Sequence, residues 1–342
     1  DRVSTSTVIT HDGKGVFVDK QVISYSGYDV YGNVTDETIA RFDSKDVLID
    51  YKEITNTYAD PIAQRRGNAT HTTINRYSSA TTLDSTTRIE RQEISNSSFD
   101  AIGNVIDQTV EVYVGEKLSR KTVIKNLDIS NSGDAGLQKI TTYSTDATGA
   151  LIEGEISYQE ITNRKFDSSH NVLNQQIFTY NNATSSKVLL DVQEVRNISF
   201  DSRGNVTESR IATFADLAKT QLLDIKVIKN ESLDAQGNAG KVTILKYRSG
   251  SVDGDTINYS DFIDATIITT SSFDLRGNAT TQVVTKYSDE SITTLTETQT
   301  ITNSGFDFHD RVSTSTVITH DGKGVFVDKQ VINYSGYDVY GN

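Results

Sequence analysis

The residues best able to do chemistry are an aspartate and an asparagine that recur together in a short motif. The stretch SFDAIGN at 98–104 recurs as SFDSRGN at 199–205 and SFDLRGN at 272–278, with GYDVYGN at 27–33. Carboxylate and amide oxygens are the ligand types that Ca²⁺ prefers. One Asp and one Asn are too few for a complete coordination shell, so calcium binding would need neighbouring motifs. The other interpretation is a plain turn, in which Asp accepts backbone N–H groups and Gly adopts a positive φ.

A second acidic segment, RSGSVDGDTINYSD at 248–261, offers Asp253, Asp255 and Asp261 as further calcium candidates. Its spacing lacks the final Glu of an EF-hand loop, and a solvated loop is the alternative interpretation. Calcium is the one cofactor that the sequence leaves open.

No arrangement of side chains in the sequence predicts catalysis. The chain has no Cys and five His, and none of the His residues pairs with another at metal-ligand spacing. Neither a GxSxG elbow nor a GxxxxGK phosphate loop occurs. We therefore expect a protein that is not an enzyme and has no catalytic residues.

The charge and the hydropathy exclude two classes of partner. The net charge is −13, whereas binding to nucleic acid needs Lys and Arg to neutralise phosphates. The same charge disfavours an anionic membrane surface, and no apolar run is long enough to span a bilayer.

Repetition at two scales is the strongest signal in the chain. Residues 310–342 repeat residues 1–33 with one change, Ser24 against Asn333. Within the 309-residue period, intact and degenerate copies of the turn motif mark nine repeats of about 34 residues. We expect the chain to be a window cut from a longer tandem array, with residues 1–309 as one super-unit and 310–342 as the start of the next.

Fixed positions within each repeat predict its turns and its core. The residues that we assign to the turns are Asp29, Gly32, Asn33, Asp100, Gly103, Asn104, Asp201, Gly204, Asn205, Asp274, Gly277 and Asn278. Ten residues after each turn Asp position lies an aliphatic residue, and these positions are the predicted core: Ile39, Ile74, Val110, Ile140, Ile177, Ile211, Ile244, Val284 and Val317.

The residue types between these positions indicate an all-β fold. Thr and β-branched aliphatic residues favour strands, and no segment has the spacing of an amphipathic helix. Each repeat is predicted to be two strands of about ten residues in a hairpin-like unit. The apolar positions have mixed parity, so either both faces of the sheet are buried or a bulge shifts the register. The array is predicted to be superhelical, barrel-like or toroidal, with a stacked β-solenoid as the alternative.

Loop length varies between repeats. The longest insertions are TYADPIAQ at 57–64, which contains the only Pro, and the segment 248–261. Both are predicted to form exposed, adaptable surface.

The stretches YDVYGN, FDSRGN and FDLRGN resemble the tyrosine–aspartate repeats of Rhs-type proteins, in which an aromatic residue, Asp and Gly mark each hairpin. The resemblance extends over the whole chain through the repeated turn. It implies a long spiralling β-sheet that forms a shell or a surface fibre. The chain also looks like the tandem repeats of giant bacterial surface proteins, which implies an extracellular structural role and no active site.

The leading functional hypothesis is a structural protein, a segment of a very long extracellular filament or cell-surface fibre whose partners are further copies of the same repeat. One alternative is an adhesin stalk or binding module whose long loops contact glycans or a host surface. Another is a shell of the Rhs type around a cargo toxin.

Overall fold

The structure, a computed structural model, describes residues 2–11, 15–152, 154 and 157–338. It consists of strands with one short helix, α1 (Pro61–Arg66). The first ten strands are β1 (Thr5–His11), β2 (Phe17–Tyr28), β3 (Val34–Phe42), β4 (Leu48–Thr57), β5 (His71–Tyr77), β6 (Arg88–Phe99), β7 (Val105–Val114), β8 (Lys117–Ile129), β9 (Ala135–Tyr143) and β10 (Ser157–Phe166). The others are β11 (Val172–Tyr180), β12 (Leu189–Phe200), β13 (Val206–Phe214), β14 (Leu222–Leu233), β15 (Ala239–Asp253), β16 (Thr256–Phe273), β17 (Ala279–Tyr287), β18 (Leu295–Ser304), β19 (Thr314–Asp321) and β20 (Phe326–Asn333).

The contacts divide the chain into two compact units, Asp1–Tyr158 and Gln159–Asn342. In the first unit, each strand from β1 to β9 pairs antiparallel with the next strand along the chain. The strands from β11 to β20 of the second unit follow the same rule. Antiparallel pairing of sequence neighbours is the predicted array of hairpin-like repeats, and it differs from the parallel stacking of solenoid coils.

The number of strands agrees with the predicted repeat. Among the described residues up to position 309 there are eighteen strands, β1 to β18, which is two for each of the nine predicted repeats. Most have between 9 and 13 residues. The superhelical, barrel-like or toroidal course of the array stays a prediction.

β-Bulges recur at fixed places in the repeat. In seven hairpins the register of the strand pair shifts just before an aromatic residue. This residue lies thirteen positions after the turn Asp position. These aromatic residues are Phe42, Tyr77, Tyr113, Tyr180, Phe214, Tyr247 and Tyr287. At each of these shifts the extra residue lies on the strand that follows, as Ile49 does between Leu48 and Asp50 on β4, so it moves the side chains of that strand to the other face. Nearer the turn the extra residue lies on the first strand, as Thr207 does on β13, whereas Ile211 and Phe214 have no bulge between them and face opposite sides of the sheet. The structure therefore contains both a bulge and apolar positions on the two faces.

The nine aliphatic residues predicted as core are only partly buried. On β13, Ile211 is partly exposed while its neighbours Ala212 and Phe214 are buried, so the deeply buried face is the opposite one. Partial burial follows from the meander, because strands contact chiefly their neighbours in sequence. A core forms where another layer covers the sheet, and it contains Val192, Ala212, Phe214, Ile225, Val227, Tyr247 and Ile257 of the second unit.

The predicted loop at 57–64 contains a helix instead. Asp60 caps the N-terminus of α1, and its carboxylate accepts two backbone N–H groups of the first turn at 2.9 and 2.7 Å. Gly67, with φ 75°, ends the helix in the left-handed conformation. Six residues are too few for an amphipathic pattern, so the capping residues Asp and Gly were the available signal.

The two near-identical segments of the chain have the same strand pairing. Thr5 of β1 lies opposite Ser24 of β2, and Thr314 of β19 lies opposite Asn333 of β20. Both hairpins have a bulge at the same place, before the His of the first strand. The two copies therefore have the same register at these strands, and the 309-residue super-unit as a physical domain stays a prediction.

A side-chain contact also repeats in both copies. The hydroxyl of Tyr28 donates to the carbonyl of Val3, and the hydroxyl of Tyr337 donates to the carbonyl of Val312. These pairs occupy the same places in the repeat, so the sequence fixes the contact in both settings.

No helix among the described residues is long and apolar enough to cross a membrane.

Candidate functional site

One aspartate organises most turns of the repeat. At Asp167, the carboxylate Oδ1 accepts the backbone N–H groups of Ser169 and Asn171 at 2.8 and 2.9 Å, and Oδ2 accepts the side-chain amide of Asn171 at 2.9 Å. The backbone N–H of Asp167 donates to the Asn171 carbonyl at 2.9 Å. The same carboxylate-centred turn is built on Asp29, Asp100, Asp201, Asp234, Asp274 and Asp307.

The degenerate copies of the motif keep this geometry with other residues. Ser130 stands in the Asp position, and its hydroxyl accepts the backbone N–H of Asp134 at 3.1 Å. His170 and Asp310 take the Gly position with φ 64° and 63°. Arg311 takes the Asn position and donates to the turn carboxylate at 2.7 Å. The turn therefore depends on donors and acceptors at fixed places more than on one sequence.

The turns also contact one another along one edge of the sheet. In the first unit, the amide of Asn33 donates to the carbonyl of Gln64 at 2.6 Å, and the amide of Asn68 donates to the carbonyl of Gly103 at 3.0 Å. Each of these contacts joins one turn to the equivalent turn of the next repeat. We call this series of contacts the turn ladder.

The turn ladder of the second unit adds an ion pair. The guanidinium of Arg276 donates to the carbonyl of Asp307 at 2.8 Å and lies 3.1 Å from the carboxylate of Asp310. The amide of Asn278 donates to the same carboxylate at 2.8 Å. Two donors of one turn thus bind the next, and the ladder holds successive hairpins at a fixed spacing.

Glycine is required in the ladder for two separate reasons. Gly277 has φ +92°, and a Cβ at this residue would lie 3.0 Å from the Oδ1 of Asn238 in the preceding turn. Gly32 has the same φ, but a Cβ there would meet nothing within 4 Å. The conformation of the turn explains both glycines, and the close approach of a neighbouring turn applies to Gly277 alone.

The hydrogen bonds of the turns favour the ionised aspartates. The side-chain and backbone donors of Asn171 hold the pKa of Asp167 below its usual value. At Asp29, Asp100, Asp201 and Asp307, burial tends to raise the pKa, but hydrogen bonds from the residue four positions later and other donors outweigh it and lower the pKa. The turns are therefore most stable when these carboxylates carry their charge.

The segment 248–261 is a hairpin tip that folds over the sheet of the second unit. Gly254, with φ +53°, forms the turn between β15 and β16. Its carbonyl accepts the guanidinium of Arg196 on β12 at 2.8 Å. The carboxylate of Asp255 accepts the amide of Asn174 on β11 at 2.7 Å and also pairs with Lys165. The predicted adaptable loop is thus a structured second layer, which buries Ile257 completely.

A charged cluster lies beneath this hairpin. The carboxylate of Glu194 is fully buried and lies 2.7 Å from both Arg164 and Lys219 and 3.1 Å from Arg196. Burial by itself would raise the pKa of Glu194, but the hydrogen bonds of Arg164 and Lys219 lower it. Arg196, which is 2% exposed, joins this cluster to the carbonyl of Gly254 in the hairpin tip.

Of the calcium candidates, Asp255 lies in the turn that precedes β16, and Asp261 lies on β16. The carboxylate of Asp255 pairs with Lys165 and Asn174, and these contacts lower its pKa. Asp261 adopts φ 56° in β16. Among the described residues, no group of three or more His, Cys, Asp or Glu side chains is arranged so that it could hold a metal ion.

One feature that sequence reasoning missed is a column of acidic residues across the strands. Each acidic residue lies four positions before an Ile or Val of the same strand. Each also lies opposite a Thr, Lys or Arg on the neighbouring strand. The pairs are Thr10–Asp19, Arg41–Asp50, Arg76–Glu90, Thr179–Asp191, Thr213–Asp224, Lys246–Asp264, Lys286–Glu297 and Thr319–Asp328. A search for charged residues in phase with the repeat would have found the acids, whereas their partners depend on the register.

These cross-strand pairs have a direct structural role. Asp50 is completely buried, and its carboxylate lies 2.7 Å from the guanidinium of Arg41. A buried carboxylate needs a donor or a cation, because leaving it unpaired costs several kcal/mol of desolvation (on the order of 3–5). The pairs thus disfavour a shifted register, in which the acids would lose these partners.

The comparisons with known proteins identify no family. No family model matches the chain, and no curated protein matches it. Among solved structures, the chain is similar to one described as "Crystal Structure of TcdB2-TccC3-Cdc42", with 12% sequence identity and a TM-score of 0.19. The match covers 97% of this chain and 21% of that chain. A TM-score of this size does not establish a common fold.

The turn ladder predicts that two glycines of equal φ differ in how much their replacement lowers the free energy of unfolding. Gly32→Ala is expected to lower the free energy of unfolding by about 1–2 kcal/mol through left-handed strain. Gly277→Ala is expected to cost about 0.5–1.5 kcal/mol more, because Asn238 must move and weaken its 2.9 Å bond to Asp234. Urea unfolding followed by circular dichroism measures both free energies, and equal losses would show that the close approach of Asn238 to Gly277 imposes no extra cost.

The lowered pKa values predict acid sensitivity. A depressed folded-state pKa stabilises the fold above the unfolded value of about 4, and this stability is lost as the pH falls through the lower folded value. We expect the free energy of unfolding to be flat between about pH 5 and 7 and to decrease below about pH 4. Asp167→Asn should make the free energy of unfolding depend less steeply on pH in the acid range. An unchanged pH dependence would mean that this turn does not contribute to the acid sensitivity.

The buried charge cluster predicts a large difference between two glutamates. Glu194→Ala should cost about 3–5 kcal/mol, because it leaves Arg196 buried without its carboxylate. The matched change is Glu231→Ala, which removes a surface ion pair with Lys241 at 2.8 Å and should cost less than about 1 kcal/mol. The rate of backbone amide hydrogen exchange in residues 248–261 should increase only in the Glu194 variant. Similar rates in both variants would contradict the link between the charge cluster at Glu194 and the hairpin at 248–261.

Proposed function

We propose that this chain is a structural protein, a segment of a long tandem-repeat array that forms an extracellular filament or a cell-surface fibre. Its partners are further copies of the same repeat, and its role needs no catalysis. The observation that carries the proposal is that sequence neighbours pair with one another in both units, with contacts between equivalent turns of successive repeats.

The strand pairing and the turn contacts support an array because they join each repeat to the repeats next to it in the sequence. A repeat that takes its pairing and turn contacts from the next repeat can be followed by any number of equivalent repeats. The acidic column and the turn ladder recur in phase, so each added hairpin would meet the same donors and acceptors. The pairing shared by β1–β2 and β19–β20 is consistent with such growth.

The resemblance of the turn motif to tyrosine–aspartate repeats also supports a structural role. Those repeats form shells and surface fibres, and giant bacterial surface proteins contain tandem repeats of similar appearance. An extracellular or cell-surface location belongs to this proposal.

A second candidate function is an adhesin stalk or binding module that contacts glycans or a host surface. It is favoured by apolar side chains that point outward from equivalent turns. Val30, Ile102 and Leu275 are all well exposed and occupy the variable positions between Asp and Gly. Each of these three turns thus presents one exposed apolar side chain to a partner.

The test of the structural proposal is the form of the native protein. Negative-stain electron microscopy and mass photometry of material from its source should show elongated particles far larger than a single 342-residue chain. A compact particle of the mass of one such chain would overturn the proposal.

The test of the second candidate is binding to an array of glycans. A variant with Val30, Ile102 and Leu275 each replaced by Ser should lose binding while keeping its circular dichroism spectrum. Absence of binding by the unaltered chain would remove this candidate and leave the structural proposal in place.

A further inference from the structure

Two strands with the same sequence have different surroundings. Strands β1 and β19 both read TSTVITH. In β1, Val8 and Ile9 are 46% and 52% exposed. Their equivalents in β19, Val317 and Ile318, are partly buried. Because the sequence is the same, the difference comes from the neighbouring strands.

The neighbour that accounts for the difference is β18. It pairs with β19 in a regular antiparallel register, with Ile301 opposite Val317 and Thr302 opposite Thr316. A side-chain bond adds to the backbone pairing, since the hydroxyl of Ser315 donates to the Oδ1 of Asn303 at 2.7 Å. In the described part of the first unit, β1 pairs with β2 alone.

The backbone of β1 shows which of its groups point away from β2. The carbonyl of Ser4 accepts the N–H of Tyr25 at 2.9 Å. Antiparallel strands alternate, so Ser6, Val8 and Thr10 also direct their backbone groups to β2. The N–H and C=O groups of Thr5, Thr7 and Ile9 therefore point to the opposite edge, which we call the outer edge of β1.

We propose that the outer edge of β1 binds a strand with the sequence of β18, LTETQTITNS, from a second copy of this repeat. The register is the one that β18 has with β19, which places Thr302 opposite Thr7 and Ile301 opposite Val8. Binding would be strand addition, in which backbone hydrogen bonds supply the affinity and alternate side chains supply the specificity. This inference deepens the proposed array and rests on it for the source of the strand.

The occupant follows from identity of sequence in two settings. The single difference between the repeated segments, Ser24 against Asn333, lies on β2 and β20 and leaves the outer edge unchanged. The β18 strand of the same chain already pairs with β19. A second copy of the repeat is therefore the source whose strand matches this edge in both register and side chains.

Disulfide trapping tests the register directly, because the natural chain contains no Cys. The Val8→Cys variant of the full chain is equilibrated in a glutathione buffer with a peptide of residues 295–304 that carries Ile301→Cys. Residues 301 and 8 would form the closer type of antiparallel pair, with Cα atoms about 4.5 Å apart, which a disulfide can span. The expected result is a cross-link, measured by mass spectrometry, in a yield about tenfold above that of off-register pairs.

The off-register controls place the peptide Cys at 300 or 302, and a site control places the chain Cys at Val331 on the exposed strand β20. Equal cross-linking in any of these, or none with the matched pair, would overturn the proposal. N-methylation of the peptide at Thr300 and Thr302 should weaken its binding to the unaltered chain about tenfold, since both N–H groups would face β1. The same change at Gln299 and Ile301 should leave binding unchanged; the opposite order would also overturn the proposal.

The outcome separates this inference from the proposed function. Failure of the matched pair together with elongated native particles would refute the strand register and leave the array. A matched cross-link together with compact native particles would keep the binding edge and refute the array.

Discussion

The fold depends on a carboxylate that accepts several donors within one turn. In the turn at Asp167, backbone N–H groups bind one oxygen and the Asn171 amide binds the other. This arrangement fixes where one strand ends and the next begins, and in an antiparallel hairpin the turn determines the register. The register then sets which side chains meet across the strands. The acidic column, the bulges and the turn ladder are all consequences of that placement.

The ladder converts a local turn into longer-range order. A hairpin by itself is marginally stable, and a meander needs neighbouring strands or a covering layer to hold it. Contacts such as Asn68 to Gly103 and Arg276 to Asp307 join equivalent turns. Most side chains are only partly buried, so polar contacts at the edge and across strands have a larger share in holding the repeats together than in a globular core.

The hairpin at 248–261 shows what a second layer changes. Where it covers the sheet, apolar residues such as Ile225 and Ile257 become fully buried. The same covering encloses Glu194, which then requires the cations around it. An apolar core and a compensated charge cluster thus have one common cause, the folding of β15 and β16 over their neighbours.

The sequence by itself determined the class and the period of the fold. Turn residues such as Asp274 and Gly277 occur in phase with β-branched positions, and turn chemistry and strand propensity act over a few residues. From these alone, the hairpin-like repeat could be predicted, with a bulge as one of two alternatives for the spacing of its apolar positions. The six-residue helix at Pro61–Arg66 was missed, because fewer than two turns of helix leave no periodic pattern.

Only the tertiary structure decided which faces are buried and what the long insertion does. Ile211 and Ala212 are adjacent in the sequence and face opposite sides of the sheet, and the buried one is Ala212, because the covering hairpin selects the side. The insertion at 248–261 has the composition of a solvated loop, and its contacts with Asn174 and Arg196 join residues 81 and 58 positions apart. Such contacts depend on the register of all the strands between them, which no short stretch of sequence specifies.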